Sequence, residues 1–365
     1  MKNEKTNLKN LWLNIDKYIL VSTFVLIGFG LICIFSASEQ LDSKWNLSSN
    51  FLFKKHIVFC FVGLIIMFSI SQFSTKNLII ISMGIFCLSI LLSIAAIFFF
   101  PETKGANRWI KIFSYSFQPS ELLKPTFIMI SALLLSRNKD KNDYSLLINI
   151  FFLASISAVL ISQPDMGMFI LIFGVWILQV LGSNVDKKII SSIFLGFLFV
   201  ILMCFLFLDH FQFRLMNFLF SDVGDDYQIS KSLKSFENGG LFGKGISSGN
   251  VSKTLPDAHS DFIFALIGEE LGFISAVIIL LMYLLIFCRV YYLSKSVTNF
   301  FVFTALTGLA NILIFQTIIN VSSSLGILPT KGMTLPFVSY GGSSLISNSI
   351  LIGFILALTR ECKND

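Results

Sequence analysis

The amino-acid sequence predicts an all-α polytopic membrane protein with about ten transmembrane helices. Hydrophobic residues make up 55% of the 365 residues, charged residues make up only 13%, and the mean hydropathy is +0.80. Soluble domains do not have this composition. Apolar stretches of roughly 20 residues, the length that crosses a hydrocarbon core of about 30 Å, recur from one end of the chain to the other.

Ten segments meet this length requirement and fit one integral membrane domain over 1–365. Gln163-Pro164-Asp165 separates the fifth segment from the sixth and predicts a hairpin, because proline interrupts a helix and restricts the residue before it. Residues 209–259 are predicted to form a large extracytoplasmic loop between the seventh and eighth helices. The ten segments are 18–37, 54–73, 77–100, 120–136, 145–162, 164–182, 188–208, 260–288, 299–320 and 341–359.

The orientation follows from basic residues near the helix ends. The amino-terminal segment carries Lys2, Lys5, Lys9 and Lys17, and lysine and arginine concentrate on the cytoplasmic side of membrane proteins. An even number of helices then places both termini in the cytoplasm.

The charge and cysteine pattern narrows the function classes. The net charge of +6, with basic residues also in the outer loops, suits anionic lipid or a phosphate-bearing substrate and makes a nucleic-acid partner implausible. The six cysteines show neither a disulfide framework nor zinc spacing, and the three histidines are scattered, so no dedicated metal site is predicted.

Ionisable residues near the outer ends of the helices form three clusters, and such groups are costly there unless they are paired or face water. The first cluster contains Lys104 and Arg108, followed by Gln118, Glu121 and Lys124. Glu121 and Lys124 lie three residues apart on one helix face, so we expect them to form an ion pair.

The other two clusters centre on aspartates at helix starts. Asp165 opens the sixth segment, where helix capping is the alternative to a functional role. Asp261 opens the eighth segment and also has capping as its alternative. Glu269 and Glu270 follow on that helix, and Glu269 is expected on about the same face as Asp261, one or two turns deeper.

Two glycine-rich polar segments favour a functional role for Asp261. Residues 238–245, which include Lys244, precede it and suit a backbone approach to a ligand. Residues 328–344, which include Lys331, Ser339 and Ser343, follow the ninth segment. Irregular backbone at this depth is tolerated only where protein or a water-filled cavity covers it.

Together these segments resemble one family closely, the SEDS proteins (shape, elongation, division and sporulation), which polymerise the glycan of bacterial peptidoglycan. The motifs KGANRW, FQPSE, QPDMG, PDAHSDFIFALIGEELG and LPTKGMTLPFVSYGGSS occur in the family's order and spacing over nearly the whole chain. The stretch 329–336 favours the division branch of the family over the elongation branch. Lys231 and Ser260 depart from the common pattern.

The resemblance implies a glycosyltransferase that uses lipid II as both donor and acceptor. Asp261 is then the general base that activates the 4-hydroxyl of the acceptor's N-acetylglucosamine for attack on the donor's anomeric carbon, with undecaprenyl pyrophosphate as the leaving group. Arginine and lysine suit pyrophosphate binding, and a divalent cation, Mg²⁺ or Mn²⁺, stays open as a cofactor. The predicted substrate-binding residues are Lys104, Arg108, Gln118, Glu121, Lys124, Asp165, Gln228, Lys244, His259, Lys331, Ser339 and Ser343.

The same resemblance implies a class B penicillin-binding protein as partner, together with other division proteins and membrane lipids. It also implies the bacterial inner membrane, at the division septum, as the location. Two other classes remain: a transporter that flips lipid II, and a non-catalytic scaffold of the division machinery. The charged clusters gather at the outer edge, while a flippase also needs polar residues along its inner half, and this difference favours the polymerase.

Overall fold

A computed structural model describes residues 15–44, 50–102, 106–112, 115–137, 144–183, 185–208, 212, 216, 225–329 and 332–361. The chain forms a bundle of apolar helices in the predicted order, with one further helix in the large loop. The helices are α1 (Lys17–Lys44), α2 (Phe51–Ser71), α3 (Thr75–Phe99), α4 (Leu123–Arg137), α5 (Ser145–Ser162), α6 (Met166–Leu181), α7 (Lys187–Phe207), α8 (Asp225–Gly239), α9 (Ile263–Glu270), α10 (Gly272–Ser294), α11 (Phe300–Ser324) and α12 (Gly342–Glu361).

Short elements fill the loops that precede α4 and α9. Strands β1 (Ile110–Ile112) and β2 (Tyr115–Phe117) pair antiparallel, with Ile110 opposite Phe117. A 3₁₀ turn over Pro119–Leu122 leads directly into α4. A second 3₁₀ turn, Ser252–Thr254, lies in the large loop before α9.

The predicted spans differ from the helices in two respects. Eight of the described helices are long and apolar enough to cross a membrane, whereas α4 and α6 have only 15 and 16 residues. The prediction of one continuous eighth helix over 260–288 is wrong. The helix begins at Ile263 and breaks between α9 and α10, because Gly272 has a left-handed backbone with φ of 80°.

Helices α11 and α12 form the core of the bundle. In the apolar stretch of α12, 89% of the residues are buried, whereas only 6% of the residues in the apolar stretch of α7 are buried. Close contact between α12 and α2 depends on small residues: a Cβ on Gly63 would lie 2.5 Å from a methyl group of Leu345, and one on Gly353 would lie 2.9 Å from Ile70. Small residues commonly bring membrane helices together in this way.

Amide side chains inside the bundle form hydrogen bonds between helices. Asn149 of α5 accepts from Trp176 Nε1 at 3.0 Å and donates to Ser131 Oγ of α4 at 3.2 Å. Gln179 of α6 donates to the backbone oxygens of Ile128 and Thr304, at 3.2 and 3.1 Å. These bonds hold α4, α5, α6 and α11 together and occupy polar groups that hydrocarbon would leave unpaired.

Two carboxylates fasten the large loop to the junction of α9 and α10. Glu269 accepts hydrogen bonds from the Asn238 side chain at 2.6 Å and from three consecutive backbone N–H groups, 250–252, at 2.6 to 3.0 Å. Glu270 accepts from Ser36 Oγ of α1 at 2.7 Å. Glu269 therefore lies at the loop, at the end of α9 away from Asp261.

The two adjacent glutamates have opposite pKa shifts. Burial raises the pKa of Glu269, but the N–H groups of Val251 and Ser252 outweigh burial, so its pKa lies below the usual value. Burial also raises the pKa of Glu270, and there the hydrogen bonds from Ser36 and nearby backbone do not compensate. Ionised Glu269 thus stabilises the fold, while ionised Glu270 is held at a cost.

We expect Gly272→Ala to lower the stability of the protein by at least about 2 kcal/mol, because a side chain is strained in the left-handed region and a Cβ there meets packed backbone. That Cβ would lie 2.3 Å from the Gly243 nitrogen. The measurement is Tm in detergent. The control is Gly174→Ala in α6, where a Cβ meets nothing within 4 Å; an equal loss in both variants would contradict the prediction.

We expect Glu269→Gln to lower Tm at neutral pH and Glu270→Gln to leave it unchanged or raise it. The stability that Glu269 contributes is present above its unfolded-state pKa and is lost as pH falls through its lower folded-state pKa. For Glu270 the sign is reversed, and removing its charge relieves a cost at neutral pH. Melting curves of wild type and both variants over a pH series test this, and equal losses at neutral pH would refute it.

Candidate active site

Asp261 lies in a tight turn immediately before α9. The backbone oxygen of Asp257 accepts from the N–H groups of Ser260, Asp261 and Phe262 at 3.1 to 3.3 Å, and Asp257 itself has a left-handed backbone with φ of 53°. Phe262 occupies the N-cap position of α9, so Asp261 lies one residue before the cap. The turn leaves the Asp261 side chain partly exposed.

Residues 332–341 form the opposite wall of the site. A Cβ on Gly332 would lie 3.4 Å from Asp261 Oδ2. Asn320 of α11 donates through Nδ2 to the backbone oxygens of Asp261, at 3.0 Å, and of Met333, at 2.6 Å. Leu335, Phe337 and Val338 are buried. Protein therefore covers this irregular backbone, as irregular backbone at membrane depth requires.

The turn and this wall are also joined directly. Ser339 Oγ donates to the backbone oxygen of Ser260 at 2.5 Å and accepts from the Leu335 N–H at 2.8 Å. The Tyr340 N–H donates to the backbone oxygen of His259 at 2.9 Å, and the rings of these two residues lie 5.7 Å apart. Ser339 and His259 thus lie beside Asp261, and Ser339 holds the backbone immediately before it.

The first charged cluster is assembled around the 3₁₀ turn before α4. Lys124 Nζ lies 2.6 Å from Glu121 Oε2, which confirms the expected ion pair, and donates to Gln316 Oε1 of α11 at 2.8 Å. Gln316 in turn donates to the backbone oxygen of Thr334 at 2.9 Å. Lys124 is only 1% exposed, so this chain of contacts connects a buried cation to the wall beside Asp261.

Two serines of α12 hold the same turn in place. The Gln118 N–H donates to Ser343 Oγ at 2.8 Å, and Ser347 Oγ donates to the backbone oxygen of Glu121 at 2.6 Å. Gln118 Nε2 also lies 3.3 Å from Asp165 Oδ2. Gln118 and Ser343 therefore join the Lys124 cluster to α12 and to the hairpin between α5 and α6.

Arg108 binds the hairpin between α5 and α6. Its Nε donates to the backbone oxygen of Gln163 at 2.8 Å, a terminal nitrogen donates to the oxygen of Pro164, and Nη1 lies 3.6 Å from Asp165 Oδ2. Asp165 also accepts from the Met168 N–H at 3.3 Å as the N-cap of α6. The predicted hairpin and the capping role of Asp165 are confirmed.

Lys244 and Gln228 lie elsewhere in the large loop. The Lys244 N–H donates to the Glu269 backbone oxygen at 3.0 Å, and its ammonium donates to the Asn238 side chain. Lys244 is therefore at the end of α9 away from Asp261, about 12 Å along an eight-residue helix. Gln228 lies, partly buried, in α8. Lys104 and Lys331 fall outside the described residues.

Three residues near the candidate active site were not predicted from the sequence. Gln316 and Asn320 lie four residues apart, on one face of the apolar helix α11, and polar side chains inside a span are the signal that would have found them. His56 of α2 was set aside as an isolated histidine, yet it is buried with its ring 6.0 Å from Tyr340.

Among the described residues, no group of three or more His, Cys, Asp or Glu side chains is arranged to hold a metal ion.

Comparisons with known proteins identify similar sequences. A family profile described as "Cell cycle protein" (FtsW/RodA/SpoVE) matches residues 17–364. The chain is 33% identical to a probable peptidoglycan glycosyltransferase FtsW of Buchnera aphidicola, and 29% identical to one of Caulobacter vibrioides; each match covers 99% of this chain and 93% of the relative.

Solved structures share the fold. A chain in a structure entitled "Structural coordination of polymerization and crosslinking by a peptidoglycan synthase complex" superposes with a TM-score of 0.77, at 23% identity, over 97% of this chain and 100% of that one. Thermus thermophilus RodA superposes with a TM-score of 0.72, at 23% identity, over 97% and 99%. The resemblance inferred from the motifs is confirmed: the chain belongs to the FtsW/RodA/SpoVE family of cell cycle proteins.

Proposed function

We propose that this protein is a peptidoglycan glycosyltransferase that polymerises lipid II, with Asp261 as general base. The observation that carries the proposal is the position of the Asp261 carboxylate. It is partly exposed beside Gly332, in a turn that α11 and residues 332–341 hold from behind. A carboxylate with a fixed backbone and an accessible side chain suits proton abstraction from a bound hydroxyl.

In the proposed reaction Asp261 takes the proton from the acceptor sugar's 4-hydroxyl as that oxygen attacks the donor's anomeric carbon. The bond from that carbon to the diphosphate breaks, the α linkage is inverted to β, and undecaprenyl diphosphate leaves with the electron pair. No second carboxylate is needed as general acid, because diphosphate is already a good leaving group, in contrast to the usual arrangement in glycoside hydrolysis.

Positive charge around the site supports the departure of the diphosphate. Lys124 is buried, paired with Glu121 and connected through Gln316 to the wall beside Asp261. It contributes through the field of this ion pair, whose cation contacts Gln316, in surroundings of low dielectric constant. The Arg108 nitrogens contact the hairpin, which favours a role in shaping this side of the site. Lys104 and Lys331 stay predictions, as does the use of Mg²⁺ or Mn²⁺.

The names of the relatives support a proposal for the biological setting. Because the similar curated proteins are named FtsW, we propose that this protein acts in the division branch, at the septum of the bacterial inner membrane. The similar chain in a peptidoglycan synthase complex supports a class B penicillin-binding protein as partner. Lipid II transport and a non-catalytic scaffold remain the alternatives that the first experiment distinguishes.

We expect Asp261→Asn to lower the rate of glycan polymerisation by about 10²–10⁴-fold, the range that general bases contribute, while the protein still folds. The protein is purified with its cognate transpeptidase and given labelled lipid II, and the glycan ladders are compared. Unchanged ladders in the variant would contradict the role of Asp261. Absence of ladders from wild type, with an active transpeptidase, would favour transport or scaffolding.

The matched control for this variant is Asp257→Asn in the same turn. It makes the same chemical change, and asparagine tolerates the left-handed backbone of residue 257. We expect this control to retain ladder synthesis. If both variants lost activity and Tm equally, the effect of Asp261→Asn would be structural.

We expect Lys124→Met to destabilise the protein by about 3–5 kcal/mol, because it leaves Glu121 as an uncompensated charge in buried surroundings. The double variant Glu121→Leu with Lys124→Met removes both charges and should restore Tm. We expect the restored protein to remain deficient in ladder synthesis, since the cation is absent. A stable and fully active double variant would show that the pair serves folding alone.

A further inference from the structure

Residues 240–247 of the large loop expose apolar side chains on a firmly held backbone. Leu241 is 61% exposed, Phe242 is 81% exposed and Ile246 is 49% exposed. The Gly240 and Leu241 oxygens accept from the Phe273 and Ile274 N–H groups at 3.0 and 3.2 Å. The structure therefore displays these side chains in a defined place, and nothing in the described part of the chain covers them.

This loop is attached to the ends of two membrane spans. Phe273 and Ile274 lie in the first turn of α10, whose span begins at Gly272. At the other end of the loop, the Ser247 N–H donates to Ser36 Oγ of α1 at 3.1 Å. Ser36 lies three residues before Glu39, where the apolar span of α1 ends, which is about 4.5 Å inside that end.

The exposed side chains continue the lateral apolar surface of those helices. Phe273 and Ile274 of α10 are 60% and 43% exposed, and Phe35 of α1, next to Ser36, is 41% exposed. In a membrane protein such side chains face lipid. Lys244 and Lys253, both exposed in the same loop, are suited to the headgroup region, where lysine extends its ammonium toward phosphate and water.

We propose that Leu241, Phe242 and Ile246 insert into the outer leaflet of the membrane, and we call these three residues the outer-leaflet anchor. Two observations favour lipid over a protein partner. Both ends of the loop are fixed at the boundary of a membrane span, and the apolar face of the loop adjoins lipid-facing positions of α1 and α10. Apolar side chains held at this level are buried several ångströms below the headgroups, as in interfacial helices.

The anchor also acts on the position of Asp261, and this step rests on the proposed function. Glu269 and Glu270 tie the loop to the end of α9, and Asp261 lies just before the start of α9. An anchor at the membrane surface therefore fixes the distance of Asp261 from that surface, through the length of α9. The diphosphate of a lipid-linked substrate lies at the same surface, so the anchor positions the proposed base relative to the substrate.

The test is Phe242→Trp in the full-length protein, reconstituted without its partner into vesicles of phosphatidylethanolamine and phosphatidylglycerol. Wild type contains the same four native tryptophans, so the difference between the two spectra reports residue 242. We expect blue-shifted added emission, quenched more strongly by lipids brominated near the top of the acyl chains than by lipids brominated near their ends. Because this readout needs no catalysis, it can fail independently of the proposed polymerase activity.

The matched control is Tyr227→Trp, which places the same indole at an exposed aromatic position of α8 beside Lys231. We expect water-like emission there, without depth-dependent quenching. Water-like, unquenched emission from residue 242 would overturn the proposal. A blue shift that appears only after the transpeptidase is added would also overturn it, and would assign the loop to a protein interface.

Discussion

One side-chain amide holds together the two irregular segments of the candidate active site. Asn320 Nδ2 donates to the backbone oxygens of Asp261 and Met333, which belong to segments on either side of α10 and α11. The bond to Met333 is buried, and leaving a buried backbone oxygen without a partner costs about 1–3 kcal/mol. One turn earlier, Gln316 joins Lys124 to Thr334. Helix α11 thus positions Asp261 and the buried Lys124 together.

The architecture was largely predictable from the sequence because span length is fixed by the bilayer. Short-range contacts could also be predicted from the sequence. The three-residue spacing of Glu121 and Lys124 predicts their ion pair, and the proline beside Asp165 predicts the hairpin. The break at Gly272 was not accessible, because an apolar run reads the same whether it forms one helix or two. Only contact with the Gly243 backbone reveals why glycine is required there.

Long-range contacts account for what the sequence reading missed at the site. Asn320 and Gln316 act on residues that are distant in sequence or lie in irregular loops, so no local pattern identifies their partners. The glycine-rich stretch 238–245 illustrates the same limit. Its glycines allow another group to approach the backbone closely. In the structure the close neighbour of Gly239 and Gly243 is the backbone of residues 268–272. The interpretation as a ligand-binding loop is therefore wrong for these two glycines.

The way Glu269 fastens the large loop has a consequence for the conditions in which the protein folds. Large loops can be secured by disulfides, which form only in oxidising surroundings. Residues 209–259 contain no cysteine, and the hydrogen bonds to Glu269 fasten the segment from Asn238 to Ser252. Attachment by a buried carboxylate needs no oxidant and no isomerase, so this part of the protein is indifferent to the redox state of its compartment.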